Sequence, residues 1–149
     1  AYSSVYVATL RDGTRVAAKV FGHLNLPAPP RDAVVASRIH EKAHPHICQL
    51  LGLSEGPVTL LCELCEGGAL RGYTVGQREF PWSQRMPILV QVAQALDFLH
   101  GQGASHGALT CAAVLLLEPL RPGADPHAKV ADAGLAGWLK PDPRGERTT

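Results

Sequence analysis

The sequence predicts an α+β fold in two unlike parts, a strand-rich beginning with one covering helix and a helix-led remainder. Three observations carry this. Arg11-Asp12-Gly13-Thr14 separates two short apolar runs, and Asp-Gly between such runs is a strong hairpin signal. Ser83 to His100 places Leu89, Val92, Leu96 and Leu99 at helical spacing. Between the two parts lies Glu66-Gly67-Gly68, after which the pattern changes from strand-like to helical.

In chain order, Ser4 to Leu10 and Arg15 to Val20 read as the hairpin strands. A Pro-containing connection, Gly22 to Pro30, precedes a helix to Ala43 that is capped by Asp32 and has Val35, Ile39 and Ala43 on one face. Ile47 to Leu53 and Val58 to Cys62 form two further strands around Ser54-Glu55-Gly56-Pro57. Pro87 falls near the start of the long helix, where a missing N–H costs least. Val114 to Leu117 and Ala128 to Ala131 are short strands joined by a Pro/Gly-rich connection, and the tail from Lys140 is polar.

Bulk properties narrow the function. The 149 residues suit a single domain with a substantial core, and the formal net charge of +1 gives no electrostatic case for nucleic acid or acidic membranes. Glu63 and Glu118 interrupt the two most apolar runs, so neither spans a bilayer. The four cysteines include Cys62-Glu63-Leu64-Cys65, a CxxC that ends a strand-like run instead of opening a helix. Cys48 and Cys111 offer no matching second half-site for zinc, and His44-Pro45-His46 reads as a surface turn. Scattered thiols of this kind suit a reducing compartment, hence a cytoplasmic location.

Several motifs then fall in one order. Tyr2-Ser3-Ser4-Val5 is similar to the end of a glycine-rich loop, with Ser3 at its last glycine. Val16-Ala17-Ala18-Lys19 resembles V-A-I-K, and His44 to Gly52 resembles H-P-N-I-V-x-L-L-G. Leu61 to Leu70 looks like an interlobe hinge, and Asp97-Phe98-Leu99-His100 like the end of the helix before a catalytic loop. Ser105-His106-Gly107-Ala108-Leu109 and Asp132-Ala133-Gly134 resemble H-R-D-L-x-x-x-N and D-F-G. Together they resemble the protein kinase family, nearest its tyrosine-kinase-like branch. The resemblance implies a two-lobed kinase-like fold with an N-lobe over 1–62, a hinge over 63–68 and a partial C-lobe over 69–149. It also implies a fragment, running from inside the glycine-rich loop into the activation segment.

What the resemblance implies about chemistry is divided. Lys19 would neutralise the α- and β-phosphates of ATP, against the plainer reading of a snorkelling lysine on a strand face. Asp132 would hold one Mg²⁺, against that of a solvent-facing turn carboxylate. Val5, Ala17 and Leu115 would sandwich the adenine, with Cys62 as gatekeeper. Glu63 and Cys65 would offer a backbone C=O and N–H to its edge. His106 would be a core histidine supporting the loop.

Against these, Ala108 stands where the general base belongs and Ala113 where the second Mg²⁺ ligand belongs. Val35 aligns with the glutamate that pairs the lysine, and Gly107 replaces an arginine that binds activation-loop phosphate. The leading expectation is a pseudokinase, an ATP-binding signalling, allosteric or scaffold module with an unidentified protein partner. A weakly active kinase and a scaffold that has lost nucleotide are the alternatives.

Overall fold

The computed structural model describes residues 3–21, 39–54, 57–75 and 80–135. The first sheet has strand order β1-β2-β4-β3, built from β1 (Ser4–Thr9), β2 (Arg15–Phe21), β3 (Leu50–Ser54) and β4 (Val58–Glu63), all antiparallel. The β1–β2 turn forms as expected, with Gly13 at φ 89° and the Thr14 N–H donating to Asp12 Oδ1 at 2.9 Å. Residues 39–41 are helical and the helix ends there, two residues short of the expected Ala43, while the earlier part of the expected covering helix, Asp32 and Val35 included, lies outside the described residues.

A second sheet, β5-β6-β7, joins Gly68–Ala69, Val114–Leu116 and Ala128–Val130. Helix α1 (Arg71–Val75) follows β5, and α2 (Trp82–Gly101) packs on β7. Neither β5 nor α1 is foreseen from sequence. Both are too short for their own periodicity to show, and β5 exists because Gly68 and Ala69 pair with Leu116 and Leu115.

Two expectations are corrected by packing. Helix α2 buries Gln84, Ile88, Ala95 and Leu99, whereas Leu89 is 56% exposed. Leu99 is buried and Val92 and Leu96 pack against the same core as expected, so only Leu89 departs from the expected face. The buried stripe also takes in a polar residue, Gln84, which donates to the Arg121 carbonyl at 2.8 Å. The strand expected from Ile47 begins only at Leu50. Its first residues pair with the second sheet instead: Cys48 N–H donates to Val130 O at 2.9 Å, and Val130 N–H to His46 O at 2.8 Å. That junction carries the core cluster of Ile39, Ile47, Ala95, Leu99, Val130 and Ala133. His44 to Ile47 forms a turn closed by Ile47 N–H on His44 O at 3.1 Å, with Pro45 exposed, as expected, while His44 and His46 are half-buried, the first stacked on Phe98 at 4.9 Å.

Candidate functional site

The site forms where β2 and β4 face the turn after β7. Strand alternation puts Ala17, Lys19 and Phe21 on one face of β2. Register sets Val5 opposite Lys19 and Cys62 opposite Ala17. From across the molecule, Asp132 Oδ2 meets Lys19 Nζ at 2.6 Å, with side chains 28% and 22% exposed. Asp132 has φ 57°, a left-handed backbone that aspartate tolerates better than most residues, and its carbonyl accepts from Leu135 N–H at 3.1 Å. Lys19 Nζ also lies 5.5 Å from the centre of the Phe21 ring. Cys62 sits within reach of both charges. Burial above all, with the negative charge of Asp132, pushes its thiol up to about 11, Lys19 opposing.

The loop between α2 and β6 completes the floor. His106 is buried, its Nδ1 accepting from Ala108 N–H at 3.3 Å and its Nε2 facing Ala131 O at 2.8 Å. The acceptor role of Nδ1 assigns the proton to Nε2, so both nitrogens are committed to holding the backbone. Ala113 O accepts from Ala131 N–H at 2.8 Å, which seats residue 113 beside the approach to Asp132. Ala108 is exposed. Methyl groups at both positions can neither accept a proton nor ligate an ion.

The expected hinge residues make contacts of their own with distant parts of the chain. Glu63 lies at the end of β4 with its carboxylate on Lys129 Nζ, at 2.8 Å for one oxygen and 2.9 Å for the other. Its N–H donates to Gln49 O at 2.9 Å, and its carbonyl accepts from the Cys48 thiol at 3.5 Å, leaving a second lone pair for a ligand. Cys65 O accepts from Gly68 N–H at 3.1 Å. Leu115 lies on β6, opposite Ala69 on one side and Lys129 on the other.

Sequence reasoning missed Lys129 and Cys48. Lys129 is buried, 8% exposed, between buried Ala128 and Val130, and a lysine in so apolar a run was the signal that it has a partner. No such signal marked Cys48, whose neighbours come from distant sequence.

The protein tyrosine and serine/threonine kinase family matches residues 1–148. This chain belongs to the protein kinase family. The fold is accordingly that of a kinase domain, mixed α and β, with an N-lobe-like sheet and part of a C-lobe. Among its relatives, a probable receptor-like protein kinase of Arabidopsis thaliana is 30% identical over 142 residues, 91% of this chain and 16% of that protein. Serine/threonine-protein kinase ULK3 of Rattus norvegicus is 31% identical over 146 residues, 94% of this chain and 30% of that protein. U-box domain-containing protein 33 of Arabidopsis thaliana is 29% identical over 147 residues, 95% of this chain and 17% of that protein. The kinase domain described here thus spans less than a third of the length of these relatives. Among the described residues, no helix is long and apolar enough to cross a membrane.

Proposed function

We propose that this kinase-family chain is a pseudokinase, a module that holds Mg·ATP for signalling, allosteric or scaffolding purposes and has lost phosphoryl transfer. One contrast carries the reading. The Lys19–Asp132 pair stands at 2.6 Å, while Ala108 and Ala113 present methyl groups where a base and a second metal ligand would be needed.

The residues present fit the nucleotide. Lys19 is a cation for phosphate, and Asp132 keeps a carboxylate oxygen outside the ion pair. Mg²⁺ accepts one protein carboxylate with phosphates and waters completing its shell. Bound there, the ion would neutralise phosphate charge. Val5, Ala17 and Leu115 would hold the base, Cys62 would border it, and the backbone of Glu63 and Cys65 would fix its edge. Residues 1–62, 63–68 and 69–149 then act as N-lobe, hinge and partial C-lobe. Gly107 carries no charge, so a phosphate–arginine latch at this position does not operate. Four free thiols support a reducing, cytoplasmic setting.

A weak phosphotransferase is the second reading, favoured by the same Lys19–Asp132 geometry, because phosphoryl transfer depends heavily on positioning and electrostatics. Thermal unfolding with and without Mg·ATP, alongside a phosphotransfer assay, separates the readings. Nucleotide at about 100 times its Kd should stabilise by about 2.7 kcal/mol, and Lys19→Ala should lose that gain. No shift at saturating nucleotide leaves a scaffold that binds none. Transfer abolished by Asp132→Ala supports the weak enzyme.

A further inference from the structure

The fold gathers thiols that the sequence leaves far apart. Cys48 lies in the segment hydrogen-bonded to Val130, and Cys65 lies two residues beyond the end of β4. The Cys48 thiol donates to the Glu63 carbonyl at 3.5 Å, which sets its sulfur against the hinge backbone two residues before Cys65 and within reach of the Cys65 side chain. Cys48 is buried at 4% exposure, whereas Cys65 is only partly buried. Two thiols in contact, one shielded and one reachable, form a pair of resolving and attacking sulfurs.

We propose that Cys48 and Cys65 are a reversible oxidation site for hydroperoxides, closing to a disulfide that ties the hinge to the Ile47–Val130 junction. Exposure assigns the roles, since Cys65 is reachable and Cys48 is shielded. The electrostatics agree: the Cys48 hydrogen bond, against burial and the Glu63 charge and with the Lys129 charge, holds the Cys65 thiol below the usual range, while that hydrogen bond and burial push Cys48 up. The Cys65 thiolate attacks one oxygen of hydrogen peroxide; the S–O bond forms, the O–O bond breaks, and hydroxide leaves to be protonated to water. Cys48 sulfur then attacks the Cys65 sulfenic acid. The S–S bond forms, the S–O bond breaks, and a second water departs with the Cys48 proton. Two electrons pass from the thiol pair to the peroxide. A thiol reductant returns both cysteines.

The consequence is mechanical. Cys48 N–H is already fixed to Val130 O, so a bond to Cys65 would anchor the hinge to β7 beside the Glu63–Lys129 ion pair. The inference goes beyond the nucleotide reading and does not need it.

The test uses hydrogen peroxide on the purified protein, alkylation of remaining thiols, and cleavage after glutamate. That cleavage separates Cys48 (42–55), Cys62 (56–63) and Cys65 (64–66), which trypsin would leave in one peptide. The expected result is a mass loss of about 2 Da, reversed by dithiothreitol. A linked 42–55/64–66 pair should appear at peroxide levels that leave exposed Cys111 alkylatable. Cys48→Ser and Cys65→Ser should each abolish the link, and Cys62→Ser should keep it. A link through Cys62 or Cys111, a covalent dimer, oxidation of Cys111 first, or Cys65 halting as a sulfinic acid would overturn the proposal. Because the mapping is done on the unmodified chain, a variant that fails to fold does not blunt it.

Discussion

Lys19 Nζ and Asp132 Oδ2 lie 2.6 Å apart although 113 positions separate them in sequence. The resemblance to kinases implies Val35 where an active kinase carries the glutamate that pairs with Lys19. In the folded chain it is Asp132 that neutralises it. The pair is part-buried, so its worth to stability is modest. A double-mutant cycle with Lys19→Met and Asp132→Asn should give a coupling of about 0.5–1 kcal/mol in urea unfolding without nucleotide. A coupling indistinguishable from zero would mean that the contact is incidental.

On the proposed pseudokinase reading, Ala108→Asp would supply a general base and Ala113→Asn a second metal ligand, on a loop already held by His106 and Ala131. The double variant should raise phosphotransfer by about 10²–10⁴ over the parent chain, measured with a generic protein substrate. Adding Asp132→Ala should cancel the gain.

Gly67 is required by space. A Cβ there would lie 2.3 Å from the Glu118 carbonyl oxygen and 2.7 Å from the Leu116 Cβ. The contact cannot relax easily, because Gly67 N–H donates to Leu116 O at 3.0 Å and Tyr73 Oη donates to Gly67 O at 3.0 Å. Gly67→Ala should cost about 1–3 kcal/mol in urea unfolding and weaken any nucleotide held at the hinge.

Acid should destabilise the domain through His44. Burial first, then the charges of His46 and Lys129, hold its pKa below the ordinary 6.5. Its Nδ1 accepts from His46 N–H at 3.1 Å, a role the imidazolium cannot fill. Because the unfolded chain binds this proton more readily, stability is intact above 6.5 and falls as pH drops toward the lower folded value. His40, lowered by burial against the opposing Ala133 backbone, has the same sign. Urea midpoints should fall between about pH 7.5 and about pH 5.5, and His44→Gln should flatten the difference.

The strands of the first sheet were legible because each carries its own signal: the Asp12-Gly13 turn, the β-branched runs, and bounds within a residue or so of β1, β2 and β4. Helix α2 was legible in length and in most of its facing, since Val92, Leu96 and Leu99 do turn to the core, but packing chose Ile88 over Leu89. Gln91 shows the same limit. Its amide donates to Pro126 O at 2.8 Å and accepts from Ala128 N–H at 2.7 Å, a clamp on β7 that no local pattern announces.

By itself the sequence determined the family, and it put alanine at positions 108 and 113, where the proposed reading needs a base and a metal ligand, with Lys19 and Asp132 kept. Those are matters of residue type and order, and the chemistry a methyl group lacks needs no coordinates. Only the tertiary structure decided who meets whom: Lys19 with Asp132, Glu63 with Lys129, Cys48 with Cys65. Ion pairs and thiol contacts depend on distances of a few ångströms between strands and loops far apart in the chain. Such distances are fixed when the sheets close on one another through the Ile47–Val130 bridge.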